Sequence, residues 1–290
     1  MSKVFRIAIA TALLAASAAP TVSAQPTKPD TTGYVSANGV DYWFEIRGKG
    51  EPLLLLHGGL MSTAGFGPTL TRLAESRRVI GIDLQGHGHT ALGRSTISLV
   101  DIGRDLAVVV QKLGLRQVDV MGYSFGGMAG MQLAFQHPAL VRKLVVVCAP
   151  FARDGFFAEM LPQQAAVGAA MAEGMKETPM YKAYAAVAPR PQDFPRLLDA
   201  MGALMRQPYN WSENVKQLRM PVMLVFGDSD MIRPEHIVEF YKLLGGGLRD
   251  AGWMRENMAR NRLAILPDLT HYELGEALIL APTVLPFLSK

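Results

Sequence analysis

One run governs the interpretation of this chain: Val118-Asp119-Val120-Met121-Gly122-Tyr123-Ser124-Phe125-Gly126-Gly127. An apolar, β-branched segment leads into Gly-x-Ser-x-Gly, and a helix-like segment follows. This pattern is typical of a nucleophile elbow, a sharp strand-to-helix turn that exposes a serine hydroxyl. Small flanking residues let the strand and the helix approach the strained serine closely. The motif by itself is weak evidence, because glycine and serine are also common in ordinary loops.

Other parts of the chain repeat the plan of an apolar run that ends in chemistry-bearing residues. One such run opens into His57-Gly58-Gly59, a glycine-rich loop. A later run is followed by Asp228 and Asp230, and the last run is followed by Thr270-His271. The chain therefore presents a His-Gly-Gly loop, a serine turn, an acidic turn and a late histidine in that order.

In this order the motifs resemble those of the α/β-hydrolase superfamily, in its serine esterase and lactonase branch with a helical cap. The resemblance extends from about Tyr34 to the C-terminus. It implies the α/β-hydrolase fold, with a mostly parallel central sheet, helices on both faces and an inserted helical cap. The usual reaction of this branch is hydrolysis of a carboxylic ester or lactone through an acyl-enzyme.

The resemblance also implies a role for each member of a catalytic triad. Ser124 is the nucleophile, and His271 takes its proton and returns it to the leaving group. Asp230 holds the other ring nitrogen of His271. The family most often places the acid three residues after the strand's glycine, at Asp230 here, but some members use the position of Asp228. Thr270 stands where the family usually has a glycine before the histidine.

For the oxyanion hole, the resemblance implies backbone N–H groups from two loops. One is the N–H of Phe125, directly after the nucleophile. The other comes from the His-Gly-Gly loop, where Gly59 is the first choice and Leu60 the second. Of the six histidines, only His271 occupies the late loop after the last strand, and His57 is expected to be structural.

The remaining periodicity predicts alternating strands and helices over 34–290, which is typical of a mostly parallel sheet. An opening hairpin turns at Asn38-Gly39. The segment 150–211 breaks the alternation, since it shows helical spacing without a convincing strand, and it is predicted to be the helical cap. Its methionines are expected either to pack the cap or to line an adaptable apolar pocket. Strands are predicted at 34–36, 40–46, 53–56, 79–83, 118–121, 143–147, 222–226 and 263–266, and helices at 67–74, 99–113 and 126–137.

The N-terminal segment has the plan of a secretory signal peptide. Lys3 and Arg6 precede the apolar, alanine-rich stretch Ile7–Ala19, and small residues follow. We therefore predict a signal peptide over 1–24 and a linker over 25–33. The stretch is short for a membrane span, although a helical N-terminal anchor is the alternative. The mature protein is expected to be periplasmic or secreted, without stable membrane insertion.

Composition agrees with a single globular domain. The chain has 290 residues, 49% of them apolar, and a net charge of +4. No basic block suggests a nucleic-acid partner. The single cysteine, Cys148, cannot form an intrachain disulfide and is expected to be a buried strand residue. The sequence holds no metal cluster, phosphate loop or dinucleotide fingerprint, so no cofactor and no metal are predicted.

The expected partner is therefore a small-molecule ester or lactone. Two other interpretations stay open at this point. A carbon–carbon bond hydrolase of diketone-type substrates uses the same triad. The predicted export argues mildly against this activity, because such enzymes act in intracellular catabolism. A ligand receptor built on a hydrolase fold can retain a complete triad. The sequence names neither the acyl nor the alcohol group, and it leaves the oligomeric state open.

Overall fold

The structure is a computed structural model that describes residues 28–290. Its centre is an eight-stranded sheet with the strand order β1-β2-β4-β3-β5-β6-β7-β8. The first hairpin pairs antiparallel, as does β2 with β4, and all other neighbours are parallel. The strands are β1 (Thr31–Ala37), β2 (Val40–Arg47), β3 (Pro52–Leu56), β4 (Arg78–Ile82), β5 (Val118–Tyr123), β6 (Val141–Val147), β7 (Val222–Ser229) and β8 (Arg262–Thr270).

Helices cover both faces of this sheet. The helices are α1 (Gly67–Ala74), α2 (Leu99–Lys112), α3 (Phe125–Gln136), α4 (Met160–Ala165), α5 (Ala172–Met175), α6 (Pro179–Val187), α7 (Phe194–Arg206), α8 (Ser212–Lys216), α9 (Pro234–Leu243) and α10 (Leu280–Leu288). One core contains buried side chains of α2, α3 and α9, and a second core, on the other face, contains those of α1 and α10. The central strands β3, β5 and β6 are buried on both sides, which explains their continuous apolar runs.

The segment between β6 and β7 inserts helices above the sheet. Within the described segment 150–211, the chain forms α4 to α7 and short 3₁₀ turns, with no extended strand. Its two ends lie side by side, because the N–H of Trp211 donates to the carbonyl of Phe151 at 2.9 Å. Ala152 and Asn210 form an isolated antiparallel bridge there. The helices are therefore an insertion, whose two ends join the rest of the domain at one place.

Several ends of the predicted elements differ from the observed ones, among them those of β1 and β8. β1 begins at Thr31, so the last three residues of the predicted linker 25–33 are strand. β8 continues to Thr270, because it passes an irregularity in its pairing with β7 and resumes opposite Ser229. The predicted signal peptide 1–24 lies outside the described residues. Within residues 28–290, no helix combines the length and the apolar character that crossing a bilayer requires.

Candidate active site

The serine turn has the strained geometry that its sequence predicts. Ser124 lies between the end of β5 and the start of α3, with φ of +52°. A Cβ added to Gly126 would lie 2.2 Å from the carbonyl oxygen of Leu56, and a Cβ added to Gly122 would lie 2.2 Å from that of Gly126. Both contacts are impossible for real side chains. The two glycines therefore let α3 pack directly against the strands that carry the serine.

The structure brings Ser124, His271 and Asp230 together from three different strand ends. Ser124 Oγ lies 2.9 Å from Nε2 of His271, and Nδ1 of His271 lies 2.8 Å from Oδ1 of Asp230. A carboxylate can only accept, so Nδ1 carries the proton and Nε2 accepts from the serine hydroxyl. His271 and Asp230 are buried, whereas Ser124 is partly accessible. Ser124 can therefore pass its proton to Nε2 of His271, while Asp230 keeps the imidazole ring oriented.

The alternative acid, Asp228, is not part of this chain of hydrogen bonds. It is exposed, and its Oδ1 accepts only a long bond of 3.4 Å from the N–H of Leu269. Asp230 also accepts from the N–H of Ile232 at 3.3 Å, which helps to fix its carboxylate. Of the two carboxylates that the sequence leaves open, only Asp230 reaches the histidine.

The loop that carries His271 is braced by residues that the sequence analysis did not single out. The hydroxyl of Tyr123 donates to the backbone carbonyl of His271. The Glu273 carboxylate accepts from the hydroxyl of Thr270 and, at 2.7 Å, from its N–H. These two bonds to Thr270 hold the pKa of Glu273 below its usual value. The pattern Thr-x-x-Glu before a helical turn is the signature of a capping box, and it could have revealed this brace.

Cys148 lies beside the acid rather than inside a strand. It follows β6, is fully buried and has φ of +52°, which is rare for a residue other than glycine. Burial raises the pKa of its thiol well above the ordinary value, and the nearby Asp230 carboxylate raises it further. A neutral thiol is a poor nucleophile. The prediction that Cys148 is buried and is not a second nucleophile agrees with this environment. Its predicted place within a strand is wrong, because β6 ends at Val147.

Cys148, Asp230 and His271 form the one group of metal-ligating side chains found within residues 28–290. Their ligand atoms lie within 4.8 Å of one another. Both ring nitrogens of His271 are already hydrogen-bonded, to Ser124 and to Asp230. A metal would have to break the bond between His271 and Asp230. The donor set therefore fits the triad better than a metal site.

Of the predicted oxyanion-hole residues, Gly59 lies in the loop after β3 and Phe125 is the first residue of α3. A Cβ built on Gly59 would lie 4.0 Å from Cβ of Phe125, so the two backbones face each other closely. The N–H of Ser124 is already used, since it donates to the carbonyl of Val147 at 2.8 Å. Leu60 has φ of +56°, so the chain turns sharply directly after Gly59. This geometry brings Gly59 and Phe125 together beside the serine, and their roles remain a prediction.

Two buried, neutral histidines, His57 and His87, pack beneath the predicted oxyanion hole. Nε2 of His57 accepts from the N–H of Leu84 at 2.9 Å, and its Nδ1 donates to the carbonyl of Gly58 at 2.7 Å. The ring of His87 stacks on that of Phe125, with centroids 5.4 Å apart. Burial lowers the pKa of His57, and it lowers that of His87 to about 3. Both rings stay neutral and shape the site without exchanging protons in it.

The inserted helices reach the site through α7. Cε of Met201 lies 3.2 Å from where a Cβ of Gly59 would be, so this methionine covers the predicted oxyanion loop. A Cβ on Gly86 would similarly meet Leu197 at 2.9 Å. Met171, in the same segment, is exposed instead. The segment thus contributes at least one apolar side chain to the roof of the site.

Known proteins share this architecture. Residues 51–179 match a family model described as the alpha/beta hydrolase fold. A curated relative, the putative carbamate hydrolase RutD of Azorhizobium caulinodans, is 35% identical over 124 residues. That alignment covers 42% of this chain and 46% of the relative, so the chain spans less than half the length of this curated relative.

Solved structures extend the similarity over nearly the whole chain. The carboxylesterase CesB (YbfK) from Bacillus subtilis superposes with a TM-score of 0.69 at 19% identity, covering 91% of this chain and 93% of the other. The enol-lactonase from Burkholderia xenovorans LB400 gives 0.65 at 17% identity, covering 89% and 100%. At such low identity the likeness concerns the fold. The chain has the α/β-hydrolase fold, and both the fold and the resemblance predicted from its motifs are confirmed.

Proposed function

We propose that this protein is a serine hydrolase that cleaves a carboxylic ester or lactone through an acyl-enzyme. The observation that carries the proposal is the unbroken chain Ser124–His271–Asp230, with hydrogen-bond distances of 2.9 and 2.8 Å. The names of fold neighbours, a carboxylesterase and an enol-lactonase, support the same class of acyl chemistry. The curated relative named a putative carbamate hydrolase adds carbamates to the substrates worth testing.

The geometry supports a two-step mechanism. The hydroxyl oxygen of Ser124 attacks the acyl carbon while its proton moves to Nε2 of His271, and Asp230 stabilises the imidazolium. The N–H groups of Gly59 and Phe125 donate to the oxyanion that forms on the carbonyl oxygen. Collapse of this intermediate breaks the bond to the alcohol oxygen, which takes the proton from His271. A water molecule then repeats the sequence and releases the acid and the free serine.

The substitution Ser124→Ala tests the proposal. The variant should fold, because alanine removes only a hydroxyl, and it should lose nearly all hydrolysis of a nitrophenyl ester. A fluorophosphonate probe should label the wild-type protein at Ser124 alone, as read by mass spectrometry of its peptides. The exposed Ser76 offers a matched control, since Ser76→Ala should keep both labelling and turnover.

Other results of these experiments would contradict the proposal or favour one of the alternative functions. Full activity in Ser124→Ala, or labelling at another serine, would exclude the serine mechanism. A panel of nitrophenyl esters, lactones and carbamates then identifies the acyl class. Labelling of Ser124 without turnover of any acyl substrate would instead favour a ligand receptor, and turnover of diketone-type substrates alone would favour the carbon–carbon bond hydrolase.

We also propose that the protein is exported. The support is the sequence of residues 1–24, with its positive start, apolar centre and small residues before Gln25. Mature protein from the native host should begin at Gln25 and be recovered outside the cytoplasm, as shown by N-terminal sequencing of fractionated cells. Intact Met1 on soluble cytoplasmic protein contradicts the proposal, and intact Met1 in the membrane fraction indicates the N-terminal anchor.

A further inference from the structure

The segment 244–261, between α9 and β8, exposes large apolar side chains that nothing in the described chain covers. Trp253 is 97% exposed and Met254 is 80% exposed. Leu248, in the same segment, is 67% exposed. A folded chain usually hides such side chains, and a cluster of them marks an interaction surface. We name residues 244–261 the basic loop, for the charges described next.

The basic loop also carries an excess of positive charge. Its residues 244–261 contain three arginines and two acidic side chains, a net charge of +1, and the flanking Lys242 and Arg262 raise the total over 242–262 to +3. Both acids are occupied by the loop's own backbone: Asp250 accepts from the N–H of Gly252 at 2.7 Å, and Glu256 accepts from that of Met254 at 3.1 Å.

The arginines are left available. Arg255 contacts the sulfur of Met258, and Arg260 donates to the carbonyl of Leu218 at 3.1 Å. Within residues 28–290, Arg249, Arg255 and Arg260 make no ion pair with a carboxylate. All three are exposed. The loop therefore offers three guanidinium groups to an outside anion.

The position of the loop separates it from the active site. It precedes Arg262, the first residue of β8, whereas His271 follows Thr270, the last residue of that strand. A strand of this length spans about 25 Å. The loop thus lies at the end of the sheet opposite to the catalytic residues. A partner bound there leaves the mouth of the site open to solvent.

We propose that the basic loop binds the surface of an anionic lipid bilayer. Trp253 and Met254 enter the headgroup region, where the indole ring is favoured because one part of it is apolar and its N–H stays hydrated. The arginines pair with lipid phosphates around it. The protein remains peripheral, since one loop buries too little apolar surface for insertion.

Two features favour a bilayer over a second copy of this chain. A two-fold contact through the loop would bring its arginines close to those of the other copy, and like charges repel. The loop is also irregular, with glycines at Gly245, Gly247 and Gly252 in the left-handed region, so it presents no regular helix or strand face to a rigid partner. A deformable anionic surface requires no such face.

Co-sedimentation with vesicles tests this proposal on the purified protein. Wild type should bind vesicles of phosphatidylglycerol and phosphatidylcholine, should bind phosphatidylcholine alone far less, and should be released by high salt. The double variant W253S/M254S should bind at least tenfold more weakly. In the variant R249Q/R255Q, the affinity for anionic vesicles should fall about fivefold for each arginine replaced. Its binding should also depend less on salt than that of wild type.

The matched control is Leu278→Ser, which removes an apolar side chain that is 78% exposed outside the loop and should bind like wild type. Hydrolysis of a soluble ester should be unchanged in all these variants. No binding to anionic vesicles, or equal binding by wild type and W253S/M254S, would overturn the proposal. A wild-type dimer in solution that the double variant abolishes would also overturn it, in favour of a second copy.

Discussion

At the scale of single residues, Asp228 and Asp230 are only two positions apart but have different surroundings. Asp230 is buried and bonded to His271, whereas Asp228 is exposed and bonded weakly to a backbone N–H. The substitution Asp230→Asn replaces an acceptor by an amide that can hold the wrong tautomer of the histidine. We expect turnover to fall on the order of 10⁴-fold. Steady-state kinetics on one ester measures this effect.

The matched variant Asp228→Asn makes the same chemical change outside the triad. It should retain turnover within about threefold, because only the long bond to the N–H of Leu269 is affected. Fluorophosphonate labelling of both variants reports whether Ser124 stays accessible. The reverse ranking of the two variants would transfer the role of the acid to Asp228.

Residues of the site differ in how far they could be predicted from the sequence. Ser124 and His271 could be placed because a local motif and chain order identify them. The choice between Asp228 and Asp230 depends on a turn of the backbone by two residues, which a sequence pattern does not fix. The contact between Cys148 and Asp230 is harder still, because it joins the ends of two neighbouring strands through a left-handed backbone. Only the assembled sheet brings them together.

The contribution of α7 to the site gives a prediction at the scale of elements. Met201 is buried against Gly59, whereas Met171, outside α7, is exposed. Met201→Ala should open space beside the predicted oxyanion loop and change the relative rates of short and bulky acyl esters by about 1–3 kcal/mol of discrimination. Ratios of kcat/KM across a matched ester series measure this change.

Met171→Ala is the control for this prediction, because it removes an equal volume from an exposed position of the same inserted segment. Its selectivity should match that of wild type. Labelling of Ser124 by a small probe should persist in both variants. If Met201→Ala lowers only the thermal stability and leaves every rate ratio unchanged, this methionine packs the helices and does not contact the substrate.

Elements of the sheet could be predicted more closely than those of the insertion. β3, β5 and β6 appear as continuous apolar runs because both of their faces are buried. The helices α4 and α5 have only six and four residues and little buried surface, so no amphipathic period marks their ends. Their boundaries depend on contacts with α7, which are tertiary. The sequence therefore predicted a helical segment but not its individual helices.

At the scale of the whole molecule, buried neutral histidines make stability depend on pH. Burial lowers the pKa of His87 from 6.5 to about 3 and that of His236 to about 4, and it lowers the pKa of His57. Above pH 6.5 these groups are neutral in both the folded and the unfolded chain, so they add no pH dependence. Below it the unfolded chain takes up protons that the folded chain refuses, and the free energy of unfolding falls.

We therefore expect stability to decrease as the pH falls from about 6.5 toward 3, by up to about 1.4 kcal/mol per pH unit for each such histidine. Urea unfolding at pH 7 and pH 5 measures the decrease. His87→Asn removes one of these groups while keeping a donor for the carbonyl of Gln85, which His87 contacts at 2.9 Å. The difference between the two pH values should shrink by about 2 kcal/mol in this variant. A difference as large as that of wild type would show that His87 is protonated in the folded protein and that its ring does not contribute to acid sensitivity.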